Sequence, residues 1–196
     1  MGILTSLHGR KLGLNKNGRL LCPDGFLSGD EADVLITPGA GISGGTGTVF
    51  KSFRTRFGNV IKTSIYIDLT GLASSTTDLD IIGVGASPAY LAQATLAAYG
   101  IPFTGRMACL ETPAGGADDI DLYAATEGTG VFDGGVAALT ETALVTSGAA
   151  WAIGVTKIFT GALLAAQYLY LTGGEAGTAA TYTAGKFLIE VEGYAE

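Results

Sequence analysis

The sequence predicts an all-β body, a β-sandwich or jelly roll, preceded by an extended N-terminal arm. Three observations point there. Short runs of Val, Ile, Leu, Phe and Tyr recur from residue 48 onward, each bounded by Gly, Pro, Asp or Ser, which is the pattern of strands joined by tight turns. Glycine is abundant, 31 residues of 196 against a usual share of about 7%. Because glycine costs about 1 kcal/mol against alanine inside a helix, long helices are disfavoured. The third observation is a hairpin pattern between Thr48 and Leu69.

Residues 1–45 read as a basic arm ending in a glycine-rich hinge, and residues 46–196 as the body. In the arm, Arg10, Lys11, Lys16 and Arg19 alternate with Leu12, Leu14, Leu20 and Leu21. Such a segment can lie extended over a neighbour or order only on binding. Asp30, Glu31 and Asp33 precede the apolar Val34-Leu35-Ile36, a possible first strand, and Pro38 to Gly47 follows as the hinge. The body opens with alternation between Phe53, Thr55, Phe57 and Ser52, Arg54, Arg56, the period of a half-buried strand. Gly58-Asn59 turns the chain, and Val60 to Leu69 returns as a second strand.

Later strands are expected at Gly105–Glu111, Ile120–Ala124, Lys157–Phe159, Gln167–Thr172 and Lys186–Tyr194. Ala89–Ala98 reads as a strand or a turn or two of helix, and Thr140–Ser147 is ambiguous in the same way. Strands of this length, without intervening helical patterns, argue for a sandwich, jelly roll or barrel rather than βαβ units. The longest uncharged stretch, Ile81 to Gly105, contains Pro88, Pro102, Gln93 and four glycines. Those breakers argue against a membrane helix. No secretory signal is expected either, because no apolar core of the needed length follows the basic start.

Charge narrows the function classes. The chain has 11 Lys/Arg and 18 Asp/Glu, 15% charged in all where about 25% is usual. Residues 1–62 hold eight basic and four acidic side chains, net +4, and residues 63–196 hold three and fourteen, net −11. So little charge leaves neutral or apolar surface, the mark of an interaction face. A net charge of −7 argues against direct nucleic-acid binding, which calls for a dominant basic patch.

Candidate chemical sites reduce to simpler readings. Gly41-Ile42-Ser43-Gly44-Gly45 matches the G-x-S-x-G nucleophile elbow, but that chemistry needs a histidine after the serine and a strand-to-helix turn. The single histidine, His8, lies upstream. Gly39 to Gly44 matches G-x-G-x-x-G without the helical pattern that a dinucleotide site requires. Asp118, Asp119 and Asp121, with Glu127, raise calcium or paired acid/base chemistry. Their spacing fits no EF-hand loop, and Asp119 and Asp121 are expected on one solvated strand face. Cys22 and Cys109 share no metal spacing. No cofactor, metal or catalytic residue is assigned. Arg54 and Arg56 are possible interface residues or a solvated strand face. Trp151, in an Ala/Gly-rich run, is a core or subunit-interface anchor.

Residues 42–194 resemble small structural proteins encoded by tailed bacteriophages of aquatic bacteria. The resemblance rests on Ile42-Ser43-Gly44-Gly45-Thr46-Gly47-Thr48-Val49, Ile67-Asp68-Leu69-Thr70-Gly71-Leu72 and Asp80-Ile81-Ile82-Gly83-Val84. It continues through Ala114-Gly115-Gly116, Asp119-Ile120-Asp121-Leu122-Tyr123 and Ala125-Thr126-Glu127-Gly128. Tyr168-Leu169-Tyr170-Leu171-Thr172-Gly173-Gly174 and Gly185-Lys186-Phe187-Leu188-Ile189-Glu190 complete it. It implies a non-enzymatic virion component, and the chain size suits a capsid cement or decoration protein on the capsid surface, present in the host cytoplasm before assembly. The expected partners are the major capsid protein, met through Arg10, Lys11, Lys16 and Arg19, and further copies of the chain in a homotrimer. The alternative is a head-fibre or tail attachment module that binds a host-surface glycan.

Overall fold

A computed structural model describes residues 36–176 and 178–195, together with a two-residue antiparallel pair, β1 (Gly13–Leu14) and β2 (Leu20–Leu21). The chain divides between Glu31 and Ala32 into two units. The first contains the β1–β2 pair, and the second is the β body. Of the expected first strand, Val34 and Leu35 lie outside the described residues, and Ile36 is buried without belonging to a strand.

The glycine-rich stretch read as a hinge is built into the body. It forms one helical turn, α1 (Ala40–Ser43), with Ile42 fully buried. The N–H of Gly39 donates to Tyr90 O at 2.9 Å and that of Gly41 to Pro88 O at 2.8 Å. A Cβ on Gly41 would lie 2.5 Å from Ser87 O. The glycine there permits close backbone approach rather than flexibility.

Strand β3 (Val49–Phe57) pairs antiparallel with β4 (Val60–Asp68) in unbroken register from Val49↔Asp68 to Phe57↔Val60. The two-residue turn between them has Gly58 at φ +58°, as tight hairpins require. A Cβ on Gly58 would meet no atom within 4 Å, so the cost of a side chain is purely conformational. Gly58→Ala is expected to destabilise the body by about 1 kcal/mol, read as a lowered midpoint in a urea titration with an unchanged slope.

Within the stretch left open between strand and helix, both occur. β5 (Ala92–Gln93) is followed by α2 (Leu96–Tyr99), whose first turn is capped by Thr95 Oγ1 accepting from Ala98 N–H at 3.2 Å. Then come β6 (Ile101–Ala114), β7 (Ile120–Ala125), a 3-10 turn at Val136–Ala138, β8 (Glu141–Val145), β9 (Thr156–Ile158), β10 (Tyr168–Gly173) and β11 (Ala184–Tyr194). Among the described residues all the strand pairings are antiparallel.

The strands form a five-stranded sheet, β3-β4-β11-β6-β9, and a four-stranded sheet, β5-β10-β7-β8. Together they make the all-β sandwich the sequence predicts. The inner face of the larger sheet supplies Ile65, Ile67, Phe187, Ile189, Val191 and Met107 to the core, and the smaller sheet supplies Leu122, Ala124, Leu169 and Leu171. Every residue of β7 is buried, because its sheet is covered on both faces, which explains why Ile120–Ala125 reads as a nearly continuous apolar run. Residues 81–82 extend the free edge of β10, Ile82 N–H donating to Leu171 O at 2.8 Å and Ile81 bridging to Thr172, and the Ile81 and Leu139 side chains pack with Tyr170 around Gly130. Among the described residues no helix is long and apolar enough to cross a membrane.

Candidate interaction surface

The hairpin register decides which side chains of β3 face outward. Across from β3, strand β4 buries Ile61, Thr63, Ile65 and Ile67 and turns Val60, Lys62, Ser64, Tyr66 and Asp68 outward. Paired residues share a face. Ser52↔Ile65, Arg54↔Thr63 and Arg56↔Ile61 therefore point inward, while Phe53↔Ser64 and Phe57↔Val60 point out. The Arg54/Arg56 side is half-buried rather than solvated, and the aromatic side is exposed, with Phe57 at 87%. Burial, and then the neighbouring Arg56 charge, lowers the Arg54 pKa.

The outer face can be followed across the sheet row by row. At the hairpin end, Phe57, Val60, Tyr194 and Ile101 lie side by side on β3, β4, β11 and β6. A bulge between Glu192 and Gly193 admits Phe103, whose ring stacks on Tyr194 at a centroid distance of 4.5 Å. These side chains make one apolar row across four strands, exposed on β3, β11 and β6 and half-buried at Val60 on β4. Two rows further on, Phe53, Ser64, Glu190, Arg106 and Ile158 align on all five strands. Apolar groups occupy both edges of that row, and an ion triad occupies its centre.

In the triad, Glu190 is paired with Lys62 on one side and Arg106 on the other, and Arg106 Nε donates to its Oε2 at 2.5 Å. Burial alone would raise the Glu190 carboxyl, but the two cations hold it below the usual range. A second group joins Lys186 Nζ to Glu111 at 2.7 Å and to Asp68 at 3.8 Å. The Lys186 hydrogen bond lowers the Glu111 pKa. These groups neutralise each other within the sheet face, leaving apolar side chains as its main unsatisfied feature.

Other residues singled out from sequence fall in different places. Arg10, Lys11, Lys16 and Arg19 lie outside the described residues, as do His8 and Cys22. Trp151 is buried in the body. Its indole N–H donates to Ile120 O at 2.7 Å, its ring meets Phe187 edge-on at 5.3 Å, and Lys157 Nζ lies 5.5 Å above it. Of the two readings open for it, the core anchor is the one observed. Cys109 is a buried free thiol that donates to Glu111 O at 3.2 Å, and burial raises its pKa. Ser43 ends the single turn of α1 with its side chain exposed and its hydroxyl directed at Gly39 O.

Asp119 and Asp121 are buried, not solvated. Asp121 Oδ1 accepts the Ser147 N–H at 2.5 Å, and Asp119 Oδ1 has no hydrogen-bond partner among the described residues. The smaller sheet is covered at this end by the 146–151 loop, so a strand face that alternation alone would leave in water is enclosed. Trp151 N–H donates to Asp118 O at 2.9 Å, tying that loop down. Glu127 stands apart, its carboxylate accepting from the Thr140 N–H and hydroxyl, both at 2.8 Å. Among the described residues no three acidic, cysteine or histidine side chains are grouped to hold a metal ion. Comparison with family models, with curated proteins and with solved structures gives no match.

Proposed function

We propose that this chain is a non-enzymatic structural protein of a tailed-phage virion, a cement or decoration protein that binds and stabilises the capsid shell as a homo-oligomer. The observation that carries the assembly role is the outer face of the five-stranded sheet, neutral and with exposed apolar side chains on several strands, which suits self-association, while the shell is met through the arm. Surface of that kind supports adhesion spread over an area. The phage assignment is supported by the sequence resemblance over residues 42–194. The basic arm residues Arg10, Lys11, Lys16 and Arg19 are assigned to acidic surface on the major capsid protein.

Co-sedimentation with purified shells tests the reading. Full-length protein is expected to pellet with them, and replacing the four basic arm residues by alanine is expected to abolish pelleting with the body still folded. Unchanged pelleting would overturn the arm assignment, and absence of shell binding by the parent chain would overturn the cement role. Phe57, beside the hairpin turn, and the Phe103–Tyr194 stack also suit a sugar-binding platform. Retention on host-surface glycans without shell binding would favour the attachment-module reading.

A further inference from the structure

We infer that the outer face of the five-stranded sheet is a two-fold self-association surface, with the same face of a second copy as its occupant. This names the interface of the homo-oligomer proposed above, and it does not depend on the capsid role.

Charge selects the occupant. By strand register the face holds Lys51, Lys62, Arg106 and Lys186 against Asp68, Glu111, Glu190 and Glu192, four of each sign. The chain as a whole is −7, so neutrality here is local. The central charges are already engaged with one another through the Glu190 triad and the Lys186 pairings. A strongly acidic or basic partner would have to compete with those pairs. An identical neutral face approaches without net repulsion and leaves them intact.

Area is sufficient. Phe53, Phe57, Ile101, Phe103, Ile158 and Tyr194 are between 48% and 87% exposed. Taking about 200 Å² for each large side chain, they present roughly 700 Å² of apolar surface. A stable interface buries about 800 Å² on each partner, of which some 65% is apolar in a homodimer, or roughly 500 Å². A sheet face meeting its own copy gives an isologous contact that closes at two subunits, with the sheets about 10 Å apart. This makes the homo-oligomer a dimer, where the resemblance led to the expectation of a trimer.

Light scattering on the full chain over a range of concentrations tests the inference. The expected mass is twice the 19.8 kDa of one chain. Phe53→Ser/Phe57→Ser, and separately Ile158→Lys at the opposite edge, are expected to weaken self-association at least tenfold. Both should retain the parent circular-dichroism spectrum, because the replaced side chains are exposed. Leu164→Ser, which removes an exposed leucine outside the sheets, should leave the dimer intact. A parent chain that is monomeric or trimeric would overturn the inference. So would a dimer that survives both face variants. Shell co-sedimentation is read separately, so loss of the dimer and loss of capsid binding remain distinct results.

Discussion

Replacing Trp151 by alanine is expected to cost the body about 3–5 kcal/mol, the usual range for truncating a large buried aromatic residue. The ring is 1% exposed and packs edge-on against Phe187 from the centre of the larger sheet. Its indole N–H also satisfies the Ile120 carbonyl at the start of β7. Alanine removes both the packing and that donor. Trp151→Phe keeps an aromatic ring and loses the hydrogen bond, so its expected cost is smaller, about 1–3 kcal/mol. Urea titration measures each difference. Trp151 is the sole tryptophan, so a blue-shifted parent emission reports its burial independently. A loss under 1 kcal/mol for the alanine variant, with a change in oligomer mass, would return Trp151 to a subunit interface.

The β3–β4 hairpin was legible in the sequence because period, turn and apolar content agree over Val49–Asp68. Its orientation was missed, since Arg54 and Arg56 read as a solvated or interface face, although the pairing holds a signal that alternation within one strand does not contain. Alternation shows that β3 has two unlike faces, but it does not say which one meets the core. The two-residue turn sets the register, pairing Phe57 with Val60. The Ile61/Thr63/Ile65/Ile67 face of β4 is the obvious core side, so Arg54 and Arg56 follow it inward while Phe53 and Phe57 face out. Read strand by strand, the aromatics suggest burial. Read as a pair, they identify the candidate interaction surface.

Less of the smaller sheet could be foreseen. Ile120–Ala125 and Tyr168–Gly173 are recognisable as strands, but the segments that pair with their sheet and enclose it are far away in sequence. Residues 81–82 bond to β10, and the turn at Gly134 donates toward Val131 while its carbonyl accepts from Ile81. No local periodicity encodes those contacts. The consequence is clearest at Asp119 and Asp121, whose two-residue spacing suggests a wet strand face until distant segments close over it. The ion triad was hidden for a similar reason: Lys62, Arg106 and Glu190 lie on three different strands.

Asp119→Asn is expected to stabilise the body at neutral pH by about 1–3 kcal/mol, because it removes a buried charge whose Oδ1 has no hydrogen-bond partner among the described residues. A Cβ on Gly174 would lie 2.6 Å from Asp119 Oδ1 and 3.0 Å from Asp121 Oδ1, so both oxygens border the same small volume. Lys157 is the neighbouring cation, but its ammonium donates to the Ser147 carbonyl and sits over Trp151. Burial is the main reason both carboxyls titrate above their ordinary range. Ser147 and Lys157 pull the other way, and the exposed Asp78 adds repulsion to both. The folded state therefore holds a proton on these groups more tightly than the unfolded chain, whose aspartates titrate near 3.9. Their stabilising contribution is complete below that value and is lost as pH rises through the raised folded values. Asparagine keeps the size of the side chain, removes the charge, and offers an amide N–H to the Asp121 carboxylate. Its advantage over the parent should thus grow from pH 4 to pH 8 in urea titrations and vanish on the acid side. A variant destabilised equally at every pH would show instead that the Asp119 carboxylate is a held anion on which the fold depends.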